Sequence, residues 1–229
     1  MKTSGLTQYR AVLFDLDGTL IDSEKLYHRF WMEAAHALGF PMDDSFANQI
    51  RSLDNRLCRA LFERTYHDKT AYTRIHEKRI ELMDAYIASD GIAAKPGAKE
   101  LLPALRKAGI SYYICTASSV DTAVRNALIA GITLPREHII STKNAGVKCG
   151  KPAPYVYLAA CRRIGIRPDQ ALAVEDAPNG IKSAHDAGCD VIMIPDLTQP
   201  TNEDLSMTKA ILPSLGALRA MLCADHAED

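Results

Sequence analysis

A chain of 229 residues that is 47% hydrophobic and 24% charged carries enough apolar material for a substantial core, which excludes a disordered or low-complexity protein. Its formal net charge of −1 offers no basic face for nucleic acid, and no apolar run approaches the roughly 20 residues that span a bilayer. The six cysteines (Cys58, Cys115, Cys149, Cys161, Cys189 and Cys223) contain no C-x-x-C pair and read as reduced thiols. Met1 to Tyr9 lacks the apolar middle of a secretion signal, so a cytoplasmic location is expected, and Ala224 to Asp229 reads as a fraying acidic tail.

The first predicted strand is the apolar run from Ala11 to Phe14, which ends in Asp15-Leu16-Asp17-Gly18-Thr19. Gly18 and Thr19 read as a turn that stops the strand and curls Asp17 back over Asp15. Two acids at the carboxyl end of a buried strand are costly unless a cation neutralises them. Either they hold a metal or one is tuned for proton transfer.

From Ser23 to Ser89 no strand-like run occurs, and apolar residues recur at helical spacing: Leu26, Phe30, Ala34 and Leu38, then Leu53, Leu57 and Leu61, then Leu82, Tyr86 and Ile87. This predicts a small all-helical domain, residues 23–89, inserted after the first strand, with residues 1–22 and 90–229 forming an α/β core. Polar Asp22-Ser23-Glu24 marks one boundary, and Ser89-Asp90-Gly91 through Lys95-Pro96-Gly97 marks the other. Beyond it, Pro96 and Gly97 start a helix that stops at Gly109, and Asp121 opens another that ends near Gly131. Strands are expected over Ser111–Thr116, His138–Ser141, Ala171–Val174, Val191–Ile194 and, briefly, Ala210–Leu212. Short apolar strands separated by helix-length segments predict an α/β fold: a Rossmann-like, doubly wound parallel sheet covered on both faces.

In open parallel sheets, ligands bind outside the carboxyl ends of the strands. Asp15 and Asp17, Thr116, Lys151 within Gly150-Lys151-Pro152, and Glu175 with Asp176 all fall there. Singly, each has a bland reading as a turn residue, a helix cap or a surface charge. Those readings do not explain why all of them share one edge of the sheet. Together the residues resemble the four motifs of the haloacid dehalogenase superfamily of phosphohydrolases, in order and over nearly the whole chain. Lys151-Pro152-Ala153-Pro154 and the run from Val174 to Ile181 are similar to its β-phosphoglucomutase-like branch, and the helical insertion resembles that branch's cap domain.

The resemblance implies a phosphoric monoester hydrolase in which Asp15 is the nucleophile and forms an aspartyl-phosphate, while Asp17 serves as general acid and base. Thr116, the amide of Ala117 and Lys151 would bind the phosphate. Mg²⁺ would be held by Asp15, the main-chain carbonyl of Asp17, Asp176 and, as a further ligand or an outer acid, Glu175. In the loop Gln49 to Arg56, the residues Arg51, Asn55 and Arg56 would read the part of the substrate that is not phosphate, joined by Lys78 or Arg79 from a later cap helix. The expected partner is a small phosphorylated metabolite, a sugar phosphate, with no nucleic acid and no membrane, and the expected state is a monomer. Two alternatives stand beside the phosphatase: a β-phosphoglucomutase-type hexose phosphate mutase and a non-catalytic sensor of phosphometabolites.

Three departures from the branch pattern bear on these alternatives: Ser52 where Gly is common, Tyr27 where the mutase carries His, and Ala177 where Ser is frequent. The first two weigh against the mutase. The histidines His28, His36, His67 and His76 show no metal-ligand spacing and are expected at the surface or between domains. Trp31 is expected to pack within the cap, and Cys149 to be a bystander thiol.

Overall fold

Val12 and Phe14 face one side of the sheet and Ala11 and Leu13 the other, all without solvent exposure, so β1 (Ala11–Phe14) is covered on both faces. The computed structural model describes residues 9–51, 53–143, 146 and 148–223. The readings made for Ser52, for residues 1–8 and for the tail 224–229 lie outside the described residues.

The helices after β1 are α1 (Glu24–Ala37), α2 (Asp44–Gln49), α3 (Asn55–Tyr66), α4 (Ala71–Asp90) and α5 (Ala98–Lys107). Then come β2 (Ser111–Thr116), α6 (Val120–Ile129), β3 (Ile139–Ser141), α7 (Tyr155–Ile164), β4 (Ala171–Glu175), α8 (Pro178–Asp186), β5 (Asp190–Met193), α9 (Asn202–Met207), β6 (Ala210–Ile211) and α10 (Leu215–Cys223). The strands form one parallel sheet in the order β3-β2-β1-β4-β5-β6. Register places Phe14 beside Ile114 on one flank and Val174 on the other, so Asp15 emerges where the strand order reverses. That reversal opens a crevice at the carboxyl edge.

Side chains of α5, α6 and α10 pack on one face, with Leu101, Leu105, Ala123 and Leu218 meeting Val12, Phe14 and Ile114. On the other face α7 and α8 bring Val156, Tyr157, Ile181 and Ala184 against Ala11, Leu13 and Val191. Helices α1 to α4 have a separate cluster, in which Ala34, Phe46, Phe62, Tyr72 and Ile75 are buried. Burying each large apolar side chain there contributes roughly 1.5–3 kcal/mol. Phe30 of α1 with Met83 and Ile87 of α4 instead join the cluster against the sheet.

Several boundaries differ from the sequence reading. His138 closes a 3₁₀ turn over Arg136–His138, so β3 starts one residue later. The fifth strand runs over Asp190–Met193, not Val191–Ile194, and the sixth over Ala210–Ile211, an edge strand paired only with β5. Helix α6 begins at Val120, before Asp121, because the Ser119 hydroxyl accepts the Thr122 N–H at 3.2 Å and caps it. In α3 the buried side chains are Cys58 and Phe62, while Leu57 is 50% exposed. Leu53 precedes that helix, so counting from it shifted the predicted stripe by one position. In α4 the buried face runs through Ile75, Arg79, Met83 and Ile87, with Leu82 and Tyr86 flanking it. Ser23 and Glu24, read as a polar boundary, are buried.

All six cysteines are free, with Cys149 and Cys223 half-buried and the others buried. Among the described residues no helix is long and apolar enough to cross a membrane.

Candidate active site

The site grows from the end of β1. The Asp15 N–H donates to the Val174 carbonyl at 3.0 Å, which ties the first acid to the end of β4. The chain then turns at Gly18, whose φ is +91° and where a Cβ would stand 2.5 Å from Asp176 Oδ2. Only glycine allows both the left-handed backbone and that approach. The two acids of the turn keep different company. Asp15 faces Lys151, whereas the Asp17 carboxylate accepts hydrogen bonds from Ser23 Oγ at 2.6 Å and Ser118 Oγ at 3.1 Å. Burial raises the Asp17 carboxyl above its ordinary range, and the two serine hydroxyls oppose the shift.

Lys151 lies at the centre, 1% exposed, with Nζ 2.5 Å from Asp15 Oδ1 and 2.6 Å from Glu175 Oε1. Burial lowers its proton affinity, but Asp15 and Glu175 prevail and hold the ammonium charged beyond its ordinary range. The Tyr157 hydroxyl also donates to Glu175 Oε1. Space for the Glu175 carboxyl comes from Gly180, where a Cβ would fall 2.0 Å from Glu175 Oε2.

Carboxylate oxygens of Asp15, Glu175 and Asp176 lie within 4.8 Å of one another, all buried. Asp15 Oδ2, Glu175 Oε2 and Asp176 Oδ1 have no hydrogen-bond partner among the described residues. Burial pushes both Asp15 and Asp176 well up; at Asp15 the Lys151 ammonium opposes this while Glu175 adds to it, and at Asp176 repulsion from Glu24 and Glu175 adds to it. Three carboxylates that converge, each with an unpartnered oxygen, are a donor set that suits a hard divalent cation. The Asp17 carboxylate is outside the cluster.

Arg51 reaches this cluster from the loop between α2 and α3. Its Nη2 is 2.9 Å from Asp176 Oδ2 and its Nε 3.3 Å from Glu24 Oε2, while Nη1 donates to Thr198 Oγ1. Burial pushes Glu24 up to about 7, with Arg51 opposing the shift. Thr116 is fully buried, and its Oγ1 accepts the Ser118 N–H at 3.0 Å, so its own hydroxyl proton is available to another acceptor.

A cavity of ≈ 140 Å³ lies over Asp15, Asp17 and Lys151, roofed by Trp31, Asn55 and Arg79 and edged by Ala117 and Ser118. Of the predicted reader residues, Arg51, Asn55 and Arg79 line it. Two others do not. Arg56 is exposed and donates from Nη2 to the Lys148 carbonyl at 2.6 Å, and Lys78 pairs with Glu81 at 2.7 Å. Arg79, beside Lys78, faces the cavity, with its guanidinium carbon 5.0 Å from the Tyr27 ring centre and 5.1 Å from that of Trp31. Trp31 both packs against Phe62 and lines the cavity. His76 also lines it, stacked on Tyr72 at 5.3 Å; burial, then Arg79, Lys143 and Arg59, push its imidazole down to about 4. His28 lines it too, while His36 and His67 are exposed.

Glu24, Ser118 and Tyr157 were not singled out by the sequence. Ser118 had a signal, two residues past Thr116 on the same edge. Tyr157 had none, since a tyrosine in an apolar helix reads as core.

Residues 9–188 match the model of a hydrolase family described as haloacid dehalogenase-like hydrolase. Hexitol phosphatase A of Escherichia coli (strain K12) is 35% identical over 198 residues, 81% of this chain and 82% of that protein. A solved structure of a CbbY variant from Rhodobacter sphaeroides, in complex with xylulose-(1,5)bisphosphate, superposes with a TM-score of 0.76 at 28% identity, covering 92% of this chain and 96% of that one. A hydrolase from Pseudomonas syringae shares the fold, with a TM-score of 0.80 at 24% identity over 96% of this chain and 99% of that chain.

Proposed function

The chain belongs to the haloacid dehalogenase-like hydrolases, and from that premise we propose that it is a Mg²⁺-dependent phosphatase of a small sugar or polyol phosphate, working through an aspartyl-phosphate. The observation that carries this reading is the buried arrangement of Lys151 between Asp15 and Glu175 beside the unpartnered oxygens of Asp15 and Asp176. Asp15 Oδ2 lacks a partner and is the oxygen free to meet a cation, while Oδ1 is oriented by the Lys151 ammonium for in-line attack on phosphorus. Lys151 offsets the charge repulsion between that carboxylate and the phosphate.

Asp17, raised by burial, is suited to hold a proton, deliver it to the leaving oxygen and take one back from the attacking water. Thr116 and the amide of Ala117 would bind the non-bridging oxygens. A Mg²⁺ ion held by Asp15, Asp176 and the main-chain carbonyl of Asp17 would neutralise phosphate charge. Glu175 acts one step out, fixing Lys151 through Oε1. Helices α1 to α4 serve as the cap, excluding water and presenting Trp31, Asn55 and Arg79 to the leaving group. The name of one relative, hexitol phosphatase A, and the xylulose-(1,5)bisphosphate bound in the CbbY variant support a phosphorylated carbohydrate here.

Steady-state phosphate release from an aryl phosphate tests the reaction: Mg²⁺ should be required, and Asp15→Asn should abolish turnover. The reading fails if the variant keeps its rate. Conversion of a hexose phosphate into its isomer faster than phosphate release would replace it with the mutase.

A further inference from the structure

Lys151 sits within residues 148–154, which form turns and bends and neither helix nor strand, yet its side chain meets Asp15 and Glu175 across the site. Ordering such a segment costs about 1–2 kcal/mol per residue in backbone entropy, which contacts from outside it help to offset. Ser183 Oγ on α8 supplies one such contact, to the Ala153 carbonyl at 2.6 Å, and the opposite wall supplies others. The Asp54 N–H donates to the Lys151 carbonyl at 3.0 Å, and the Gly150 N–H donates to Asp54 Oδ2 at 2.7 Å. Next to them, Arg56 Nη2 donates to the Lys148 carbonyl at 2.6 Å.

Asp54 thus spans two structural roles with its two oxygens. Oδ1 accepts the Arg56 N–H at 2.9 Å and caps α3, while Oδ2 reaches across to Gly150. A Cβ at Gly150 would lie 3.2 Å from Asp54 Oδ2, so a side chain there would crowd the approach. Burial would raise the Asp54 carboxyl, but the hydrogen bonds from Gly150 and Arg56 hold it below its ordinary range, in the charged form that accepts both. The same loop is tied a second time, where Asn179 Nδ2 donates to the Arg51 carbonyl at 2.8 Å.

We propose that Asp54 is a positioning residue for Lys151: docking of the loop between α2 and α3 onto residues 148–151 and placement of the lysine are a single event. The catalytic part of this inference rests on the phosphatase reading above. It makes the insertion part of the catalytic apparatus as well as a cover, because the Lys151 carbonyl and the Gly150 N–H take their partners from the loop.

Two variants separate the tie from the helix cap. Asp54→Ser keeps a good N-cap but is too short to reach Gly150; Asp54→Ala loses both. Hydrogen exchange on the full chain should show the Gly150 amide protected in the wild type and exchanging about tenfold or more faster in both variants. With an aryl phosphate, kcat should fall about tenfold in both, with KM changed less, while only Asp54→Ala also lowers the melting temperature. A Gly150 amide that exchanges as fast in the wild type as in Asp54→Ser overturns the tie. Unchanged kcat in Asp54→Ser, despite faster exchange, overturns the positioning role. A wild type with no turnover overturns the phosphatase reading, and with it the catalytic half of this inference, while the exchange comparison still decides the tie.

Discussion

The Lys151 ammonium stands 2.5 Å from Asp15 Oδ1, buried, with Glu175 2.6 Å away on its other side. An ion pair so placed has exchanged its hydration for fixed partners, and removing the cation leaves acids that repel one another. Lys151→Met, which keeps the stem, should therefore lower kcat toward an aryl phosphate by about 10²- to 10³-fold, with KM changed less. Steady-state kinetics on the purified variant checks this.

Gly180 is the counterpart of that arrangement on α8. A Cβ there would fall 2.0 Å from Glu175 Oε2, so Gly180→Ala must push the carboxyl away from Lys151 and Tyr157 or spread α8 from β4. Either response should cost about 1–3 kcal/mol. Urea unfolding should show a lower midpoint at unchanged slope, and activity should fall with it.

His76 predicts a pH dependence of stability. Its imidazole is held down at about 4 by burial and by Arg79, Lys143 and Arg59, whereas the unfolded chain titrates near the ordinary value of about 6.5. Between those values the unfolded chain binds a proton that the folded one refuses, so this residue's contribution is lost as pH falls from about 6.5 towards 4. The melting temperature of the wild type should drop more steeply over that interval than that of His76→Gln.

Arg51 shares Asp176 Oδ2 at 2.9 Å, on the oxygen cluster assigned to the cation. A guanidinium and a divalent ion beside one carboxylate repel each other. Calorimetric titration should find Mg²⁺ binding several-fold tighter in Arg51→Ala than in the wild type, and a chelator should abolish phosphate release in both.

The sheet and its edge were legible because their signals are local. Short apolar runs that end in Asp15, Thr116 and Glu175 fix both the strands and the polar groups at their carboxyl ends. Phase errors arose where the signal is weak: Leu53 lies before α3, so the stripe counted from it pointed Leu57 inward although that residue is half exposed. The loop residues Arg51 and Arg56 carry identical charge in sequence, yet one is buried against Asp176 and the other lies on the surface against the Lys148 carbonyl. Side-chain type alone does not distinguish them.

By itself the sequence determined which groups stand along the carboxyl edge, because strand period and turn chemistry act over a few residues. Only the tertiary structure decided how those groups divide their partners: Asp15 with Lys151, Asp17 with Ser23 and Ser118, Glu175 with Lys151 and Tyr157, Asp54 with Gly150. Some of these pairs join residues 96 to 136 positions apart, and such contacts depend on how whole elements pack.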